Sequence, residues 1–181
     1  DLVDFTRTFF ARHTILNIRT KYCLFTSENL LMVMRPYQIP ATERILNRIE
    51  IANNYKKYGC IEGGGYIWHT TGSGKTLTSF KAAQILTQSP HVHKVVFVVD
   101  RKDLDFQTIK EFNSFSEGSV DATTNTSNLV KQFADDTPLI VTTLQKLNTA
   151  ISRDRHLKTM DDLKDKRMVF IFDECHRSQF G

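Results

Sequence analysis

Leu2, Phe5, Phe9 and Phe10 recur at helical spacing near the start of the chain, which predicts a helix there. From Asn17 to Met34 the pattern is mixed, with an extended stretch predicted around KYCLFT (21–26). The next periodic run begins at Pro40, a residue suited to the first turn of a helix. Ala41, Ile45, Ile49 and Ala52 fall on one face of it, whereas Arg44, Asn47 and Arg48 fall elsewhere. This helix should fade by Gly59, and Gly63-Gly64-Gly65 should break the chain before the next apolar stretch.

Beyond residue 65 the text alternates. YIWH (66–69), KVVFVVD (94–100), PLIVTT (138–143) and MVFIFD (168–173) read as strands. Helices are predicted over Lys75–Thr87, over Asp103–Phe115 with Asp103 as N-cap, close to Leu129–Phe133, and over Leu144–Ile151. Residues 116–128 read as a polar loop, and the highly charged residues 152–167 read as surface. Three of the strands are continuous runs of Val, Ile and Phe without polar alternation, as expected of strands covered on both faces of a parallel sheet. Strand–helix alternation points the same way. The expected class is α/β, a parallel sheet with helices on both faces; no internal repeat is visible.

Composition narrows this only modestly. The chain has 181 residues, 40% of them hydrophobic and 24% charged, with a formal charge of +4. A chain of this size can bury a true core, and nothing in it resembles a low-complexity tract or an apolar run long enough for a membrane span. The positive balance permits a phosphate-rich partner without demanding one. Cys23, Cys60 and Cys175 are widely spaced and form no CxxC pair, so free buried thiols in a reducing compartment are expected, and zinc is not. With no signal peptide at the start, a cytoplasmic location is expected. The chain opens at Asp1 without Met and stops at Gly181 just after a charged motif. A fragment of something longer is therefore expected, with the apolar face of the first helix packed on a missing domain.

The sharpest chemical signal is HTTGSGKT, residues 69–76, placed where a strand should end and a helix begin. Gly72 and Gly74 permit positive φ and close approach to a ligand. Backbone N–H groups from Thr71 to Lys75 can then surround phosphate oxygens, aided by the partial positive charge of the helix start. Lys75 can reach the β- and γ-phosphates, and the Thr76 hydroxyl can ligate Mg²⁺. The pattern GxGK[ST] is expected by chance only about 0.006 times in a chain of this length. The full phosphate-loop pattern has Gly at the position held here by His69.

The second signal is MVFIFDECH (168–176), an apolar strand ending in two carboxylates. Open parallel sheets bind ligands at the carboxyl ends of their strands, so Asp173 and Glu174 are expected on the edge that carries the phosphate loop. Nucleotide hydrolysis needs one carboxylate to hold Mg²⁺ and another to orient and deprotonate the attacking water. Asp173 is assigned to the first role and Glu174 to the second.

Together DECH and HTTGSGKT resemble motifs II and I of the first RecA-like domain of a superfamily 2 helicase or translocase. RPYQ (35–38) is similar to the upstream glutamine motif of that superfamily, FVVDRKDLDFQT (97–108) to motif Ia, and VTTLQKL (141–147) to the DNA-contacting motif after it. More narrowly, His69 and the tail RSQFG make the chain resemble the restriction (R) subunit of type I restriction–modification enzymes. That resemblance implies an ATP- and Mg²⁺-dependent translocase of double-stranded DNA, with methyltransferase and specificity subunits as partners. It also implies that residues 1–34 connect to a preceding nuclease domain, and that residues 35–181 are the first RecA-like domain, cut after DECH. A second RecA-like domain in the same parent chain would supply arginine fingers and the other wall of the ATP cleft, so the fragment alone should not hydrolyse ATP.

Through the same resemblance Gln38 is a candidate reader of the adenine edge, with Tyr37 and Arg35 candidates for stacking on the base. Arg101, Lys102, Thr142, Thr143 and Lys146 are candidate contacts to DNA phosphates, since strand-end loops present short hydroxyl and basic side chains there. His176 is a candidate link between the ATP cleft and the DNA side. No recognition helix or zinc module is visible, so backbone tracking is expected instead of base reading. Three rival readings stay open: another superfamily 2 motor acting on RNA or in repair, a nucleotide-gated scaffold without turnover, and an unrelated phosphate-loop kinase. Glu174 speaks against the scaffold, and the glutamine motif against the kinase.

Overall fold

A computed structural model of the chain describes residues 1–25, 29–70, 72–99, 126–153, 156 and 161–173. The chain forms two compact units, Asp1–Lys81 and Ala82–Gly181.

The first unit opens with α1 (Leu2–Phe9). Asp1 caps it, its carboxylate accepting the Val3 N–H at 2.8 Å, one of the donors a helix start leaves without an intrahelical acceptor. Phe5 and Phe9 stack with ring centroids 5.3 Å apart, as residues four apart on one helix face should. The segment after it differs from expectation. A second helix, α2 (Arg12–Lys21), takes up the first five residues of the mixed stretch, with no buried residue. The extended reading holds over a shorter span, as the antiparallel pair β1 (Cys23–Phe25) and β2 (Leu31–Val33), with Leu24 opposite Met32.

Helix α3 (Gln38–Asn54) begins two residues before Pro40, which therefore sits in the first turn, where its missing N–H costs nothing. Ala52 is buried, Ala41, Ile45 and Ile49 are half-buried, and Arg44, Asn47 and Arg48 are exposed, as the periodicity predicts. Gln38 and Thr42 are also buried on this helix. Tyr22, buried as well, donates its hydroxyl to the Glu43 carboxylate at 2.7 Å. A 3-10 turn follows at Ile61–Gly63.

The strand predicted over residues 66–69 does not form. These residues have no regular secondary structure, and Tyr66 and Trp68 are 88% and 87% exposed. A strand exists only where a neighbour takes up its backbone N–H and C=O groups. Among the described residues the ladders are β1–β2 and the two of the second unit described below, and none includes YIWH. The predicted helix after it is present as α4 (Lys75–Leu86). The thiols also depart from expectation: Cys60 is exposed, and Cys23 is half-buried with its Sγ donating to the Ile18 carbonyl at 3.1 Å.

The second unit is built on a three-stranded parallel sheet flanked by helices. The central strand β3 (Lys94–Val99) pairs with β4 (Leu139–Thr143) on one side and β5 (Met168–Phe172) on the other. In register, Val96 lies opposite Ile140 and Phe170, and Val98 opposite Thr142 and Phe172. Every residue of β3 and β4 is buried, matching their unbroken apolar text. The edge strand β5 leaves Phe170 and Phe172 exposed.

Val96, Val98 and Ile140 pack with Leu129 and Phe133 of α5 (Thr126–Ala134), Leu147 and Ala150 of α6 (Leu144–Ser152), and Leu163. Full burial of such a side chain contributes about 1.5–3 kcal/mol each, so this cluster fastens the helices to the sheet. Leu163 and His156 are buried although they lie in the charged stretch predicted as surface. Lys94 is buried too. Its ammonium donates to the carbonyls of Asp135 and Thr137, the latter at 2.9 Å, and burial lowers its pKa. The predicted helix over 103–115 lies outside the described residues. No helix among the described residues is long and apolar enough to cross a membrane.

A candidate phosphate-binding loop and a strand-end carboxylate

The loop before α4 is shaped by its glycines. Gly72 and Gly74 have φ of 75° and 80°, in the left-handed region that glycine enters without penalty. The Thr70 carbonyl accepts from Ser73 twice, from the backbone N–H at 3.2 Å and from the hydroxyl at 2.6 Å, closing a tight turn. Helix α4 starts immediately afterwards at Lys75, with Thr76 second in its first turn. The Gly74 carbonyl receives the Thr78 N–H and the Thr78 hydroxyl, both at 3.1 Å, so the helix start is fixed twice over.

RPYQ comes to this loop from the start of α3. The Gln38 side-chain amide donates to the carbonyls of Ser73 and Gly74, both at 3.2 Å, while its oxygen accepts the Arg35 N–H at 2.8 Å. Gln38 is 2% exposed. The Tyr37 hydroxyl donates to the Ser73 carbonyl at 2.8 Å and accepts from the Arg35 guanidinium at 3.2 Å. Tyr37 also meets His69 edge-on, with ring centroids 6.2 Å apart. Two of the four residues of RPYQ thus contact the loop, and Arg35 is bonded to both of them. The hydroxyl-to-carbonyl contact of Tyr37 and the relay from Arg35 have no counterpart in the sequence reading, since the partners are 36 residues apart and no periodicity joins them.

In the second unit, parallel pairing brings the carboxyl ends of β3, β4 and β5 to one edge of the sheet. Asp173 follows β5 there, its N–H donating to the Val98 carbonyl at 2.9 Å, which extends the ladder by one residue and fixes where the carboxylate leaves the strand. Thr142 and Thr143 close the strand predicted over residues 138–143. Both lie in β4 and are buried, and the Thr143 hydroxyl accepts the Lys146 N–H at 3.3 Å as N-cap of α6. A capping hydroxyl inside the fold is committed to the helix start. Lys146, in the first turn of α6, is half-buried. Thr71, Arg101, Lys102, Glu174, Cys175 and His176 lie outside the described residues. Thr76 belongs to the first unit and Asp173 to the second.

Comparison with known proteins is decisive for the family. The profile of the SWI2/SNF2 ATPases matches residues 37–181. The chain is 53% identical over 182 residues to the C-terminal part of the putative type I restriction enzyme MpnIIP endonuclease subunit of Mycoplasma pneumoniae, an alignment covering 98% of this chain and 88% of that one. The chain belongs to the SWI2/SNF2 ATPases and to the type I restriction endonuclease subunits. It is also 51% identical over 183 residues to the SsaAORF53P endonuclease subunit of Staphylococcus saprophyticus, and 34% identical over 123 residues to the putative MjaIXP endonuclease subunit of Methanocaldococcus jannaschii. These alignments cover 99% and 65% of this chain. The chain spans 18% of the length of the staphylococcal relative and 11% of the archaeal one. The resemblance to the endonuclease subunits of type I restriction enzymes is borne out at the level of the family.

An ATPase of this family needs room and donors for a polyphosphate, and the loop fits that need. A Cβ added at Gly72 would meet nothing within 4 Å, so the space beside the turn is open. The His69 Nδ1 is buried and has no hydrogen-bond partner among the described residues. A lysine and two hydroxyl side chains, Ser73 and Thr76, stand in sequence at the helix start. Thr76 and Asp173 each carry the hard oxygen donor that Mg²⁺ prefers. Among the described residues no group of three or more His, Cys, Asp or Glu could enclose a metal.

Proposed function

We propose that the chain is the first RecA-like motor domain of a type I restriction enzyme R subunit, coupling ATP hydrolysis to translocation of double-stranded DNA before cleavage. The observation that carries the reading is the loop at Gly72–Thr76, two left-handed glycines followed at once by the first turn of α4 with Lys75 and Thr76. In this reading residues 71–75 hold the phosphates of ATP, and Lys75 neutralises their charge. Thr76 and Asp173 hold Mg²⁺, which when bound offsets the negative charge of the phosphates. Glu174 orients the attacking water and takes its proton.

Relatives named as restriction endonuclease subunits, about half identical over nearly the whole chain, support this reading over other superfamily 2 motors. Arg101, Lys102 and Lys146 are the proposed contacts to the DNA backbone. The buried Thr142 and Thr143 are left out of that role. The proposed partners are duplex DNA, a second RecA-like domain in the parent chain, and the methyltransferase and specificity subunits, all in the cytoplasm.

Lys75→Ala tests the loop. It should abolish most affinity for Mg·ATP while the far-ultraviolet circular dichroism stays unchanged, because Lys75 serves the ligand and not a core. Titration of a fluorescent ATP analogue into parent and variant measures this. Equal affinity in a folded variant would remove the phosphate-loop assignment.

A further inference from the structure

We propose that the exposed face of α3 and the turn that ends it form a contact surface for the phosphate backbone of duplex DNA, with Arg44, Arg48, Lys56 and Lys57 as its cations. The inference rests on the DNA-translocase reading above and adds a binding surface to it, since none of the four belongs to the phosphate loop or to the contacts named there. Over residues 44–58 the sequence holds four basic residues and one acidic residue, Glu50, an excess that is most of the +4 carried by the whole chain. Helical geometry sorts these charges. At about 100° per residue, Arg44, Asn47, Arg48, Ile51 and Tyr55 fall on one face, and all five are exposed. Glu43 and Glu50 fall roughly 100–120° round from Arg44, and Glu43 is engaged by the Tyr22 hydroxyl. Among the described residues none of the four cations forms an ion pair.

The turn after the helix holds its two lysines in place. The Lys56 N–H donates to the Asn53 carbonyl at 3.2 Å and the Lys57 N–H to the Ala52 carbonyl at 2.8 Å, the paired bonds that close a helix on a left-handed residue. That residue is Lys56, with φ of 52°. Glycine is the usual occupant, because a Cβ strains the backbone there. A lysine held at a glycine position points to a use for its side chain. The Tyr58 hydroxyl, 3.2 Å from the Asn53 carbonyl and 3.1 Å from its side-chain oxygen, ties the next residue back to the helix. Lys56 and Lys57 are both exposed, so two ammonium groups stand on an ordered turn. From Arg44 to Lys56 the helix axis advances about 18 Å. A duplex carries on the order of ten phosphate charges over that length, enough to meet all four cations. Protein interfaces are depleted of lysine, whereas backbone contacts to nucleic acid are made by Lys and Arg and read no sequence. A row of cations without an acid among them therefore fits a duplex better than a protein surface.

The test titrates the full chain into two fluorescent duplexes of unrelated sequence over a salt series, for the parent, Lys56→Gly/Lys57→Gln and Arg44→Gln/Arg48→Gln. Lys56→Gly puts the favoured residue at the left-handed position, so the first variant should unfold at the same or a higher urea concentration while binding DNA more weakly. Each lost phosphate contact lowers the slope of log affinity against log salt by about 0.9. Each double variant should therefore lose about 1.8 from the slope and bind both duplexes alike, roughly tenfold or more weakly at about 0.1 M salt. Affinity for a fluorescent Mg·ATP analogue should stay parental, since all four residues lie outside the phosphate loop. Parental DNA affinity and slope in either double variant would overturn the proposal and give that part of the face to a protein partner or to solvent. Joined to lower stability of the first variant, they would assign Lys56 to the helix end, whose negative pole a lysine complements. A loss confined to one duplex would mean base reading and overturn the proposal too. A parent that binds nucleotide but no duplex at low salt would remove the DNA reading itself, and this surface with it.

Discussion

Alanine at Gly74 and alanine at Gly72 should differ in cost, and the difference measures the contact with Gln38 in the absence of any nucleotide. Both glycines are left-handed, with φ of 80° and 75°, so either substitution carries about 1–2 kcal/mol of backbone strain. At Gly72 nothing lies within 4 Å of an added Cβ, and strain is the whole cost. At Gly74 the Cβ lands on Gln38 Nε2. That atom is the far end of a flexible side chain, so it moves away and the clash does not persist. Moving away breaks its bonds to Ser73 and Gly74 and leaves a nearly buried amide without acceptors, which adds about 1–3 kcal/mol. Gly74→Ala should therefore cost roughly 2–5 kcal/mol against about 1–2 for Gly72→Ala. Urea unfolding followed by circular dichroism gives both values. The same pair made in a Gln38→Ala background closes the cycle: there Gly74→Ala should cost no more than Gly72→Ala, a coupling of about 1–3 kcal/mol. Equal costs for the two glycines in the parent, or a Gly74 cost that Gln38→Ala leaves unchanged, would refute the contribution of this contact to stability.

Two further outcomes are expected. Glu174→Gln, made in the assembled restriction complex, should keep Mg·ATP binding and slow phosphate release by about 10²–10⁴-fold, the usual weight of a general base; a parental rate of release would show that Glu174 is not the base. Tyr22 is buried against Glu43, and burial first, then the bond to that carboxylate, raises its pKa above the ordinary 10.0. The unfolded chain therefore sheds this proton near its ordinary value while the folded chain keeps it, so the tyrosine's contribution to stability is intact below about pH 10 and declines as pH rises beyond it. Tyr22→Phe should flatten that decline, and parallel urea midpoints for parent and variant across about pH 9 to 11 would contradict the assignment.

The second unit was legible because its signals are redundant. KVVFVV and LIVTT have no polar alternation, and only strands covered on both faces tolerate that; both are wholly buried in the structure. Thr143 is the instructive exception. A hydroxyl at a strand end reads equally well as a loop contact or as a helix cap, and only the backbone of Lys146 decides, by donating to it. YIWH failed for a different reason. Its residues have strand propensity, but propensity is a preference for a pleated, half-buried surface, and among the described residues no neighbouring strand supplies one. The buried Leu163 and His156 were hidden by their charged neighbours, since composition averaged over a stretch does not show which single side chain turns inward.

At the phosphate loop the residue types were legible and their partners were not. Gly72, Gly74, Lys75 and Thr76 declare themselves because each is chosen for a property of its own: freedom at positive φ, a charge, a hydroxyl. Gln38 is chosen for what it touches. An amide has two donors and an acceptor, and nothing in RPYQ says whether they serve a base or a peptide 35 residues further on. In the structure the amide donates to the carbonyls of Ser73 and Gly74. They belong to the peptide units whose N–H groups face a phosphate in the proposed reading, so contact with the loop and contact with a base are two separate uses of one amide. Such a residue can lie beside a nucleotide site, weaken nucleotide binding when mutated and still read no base, and a mutation assayed with ATP alone cannot tell the two roles apart. Only a ligand without a base separates them.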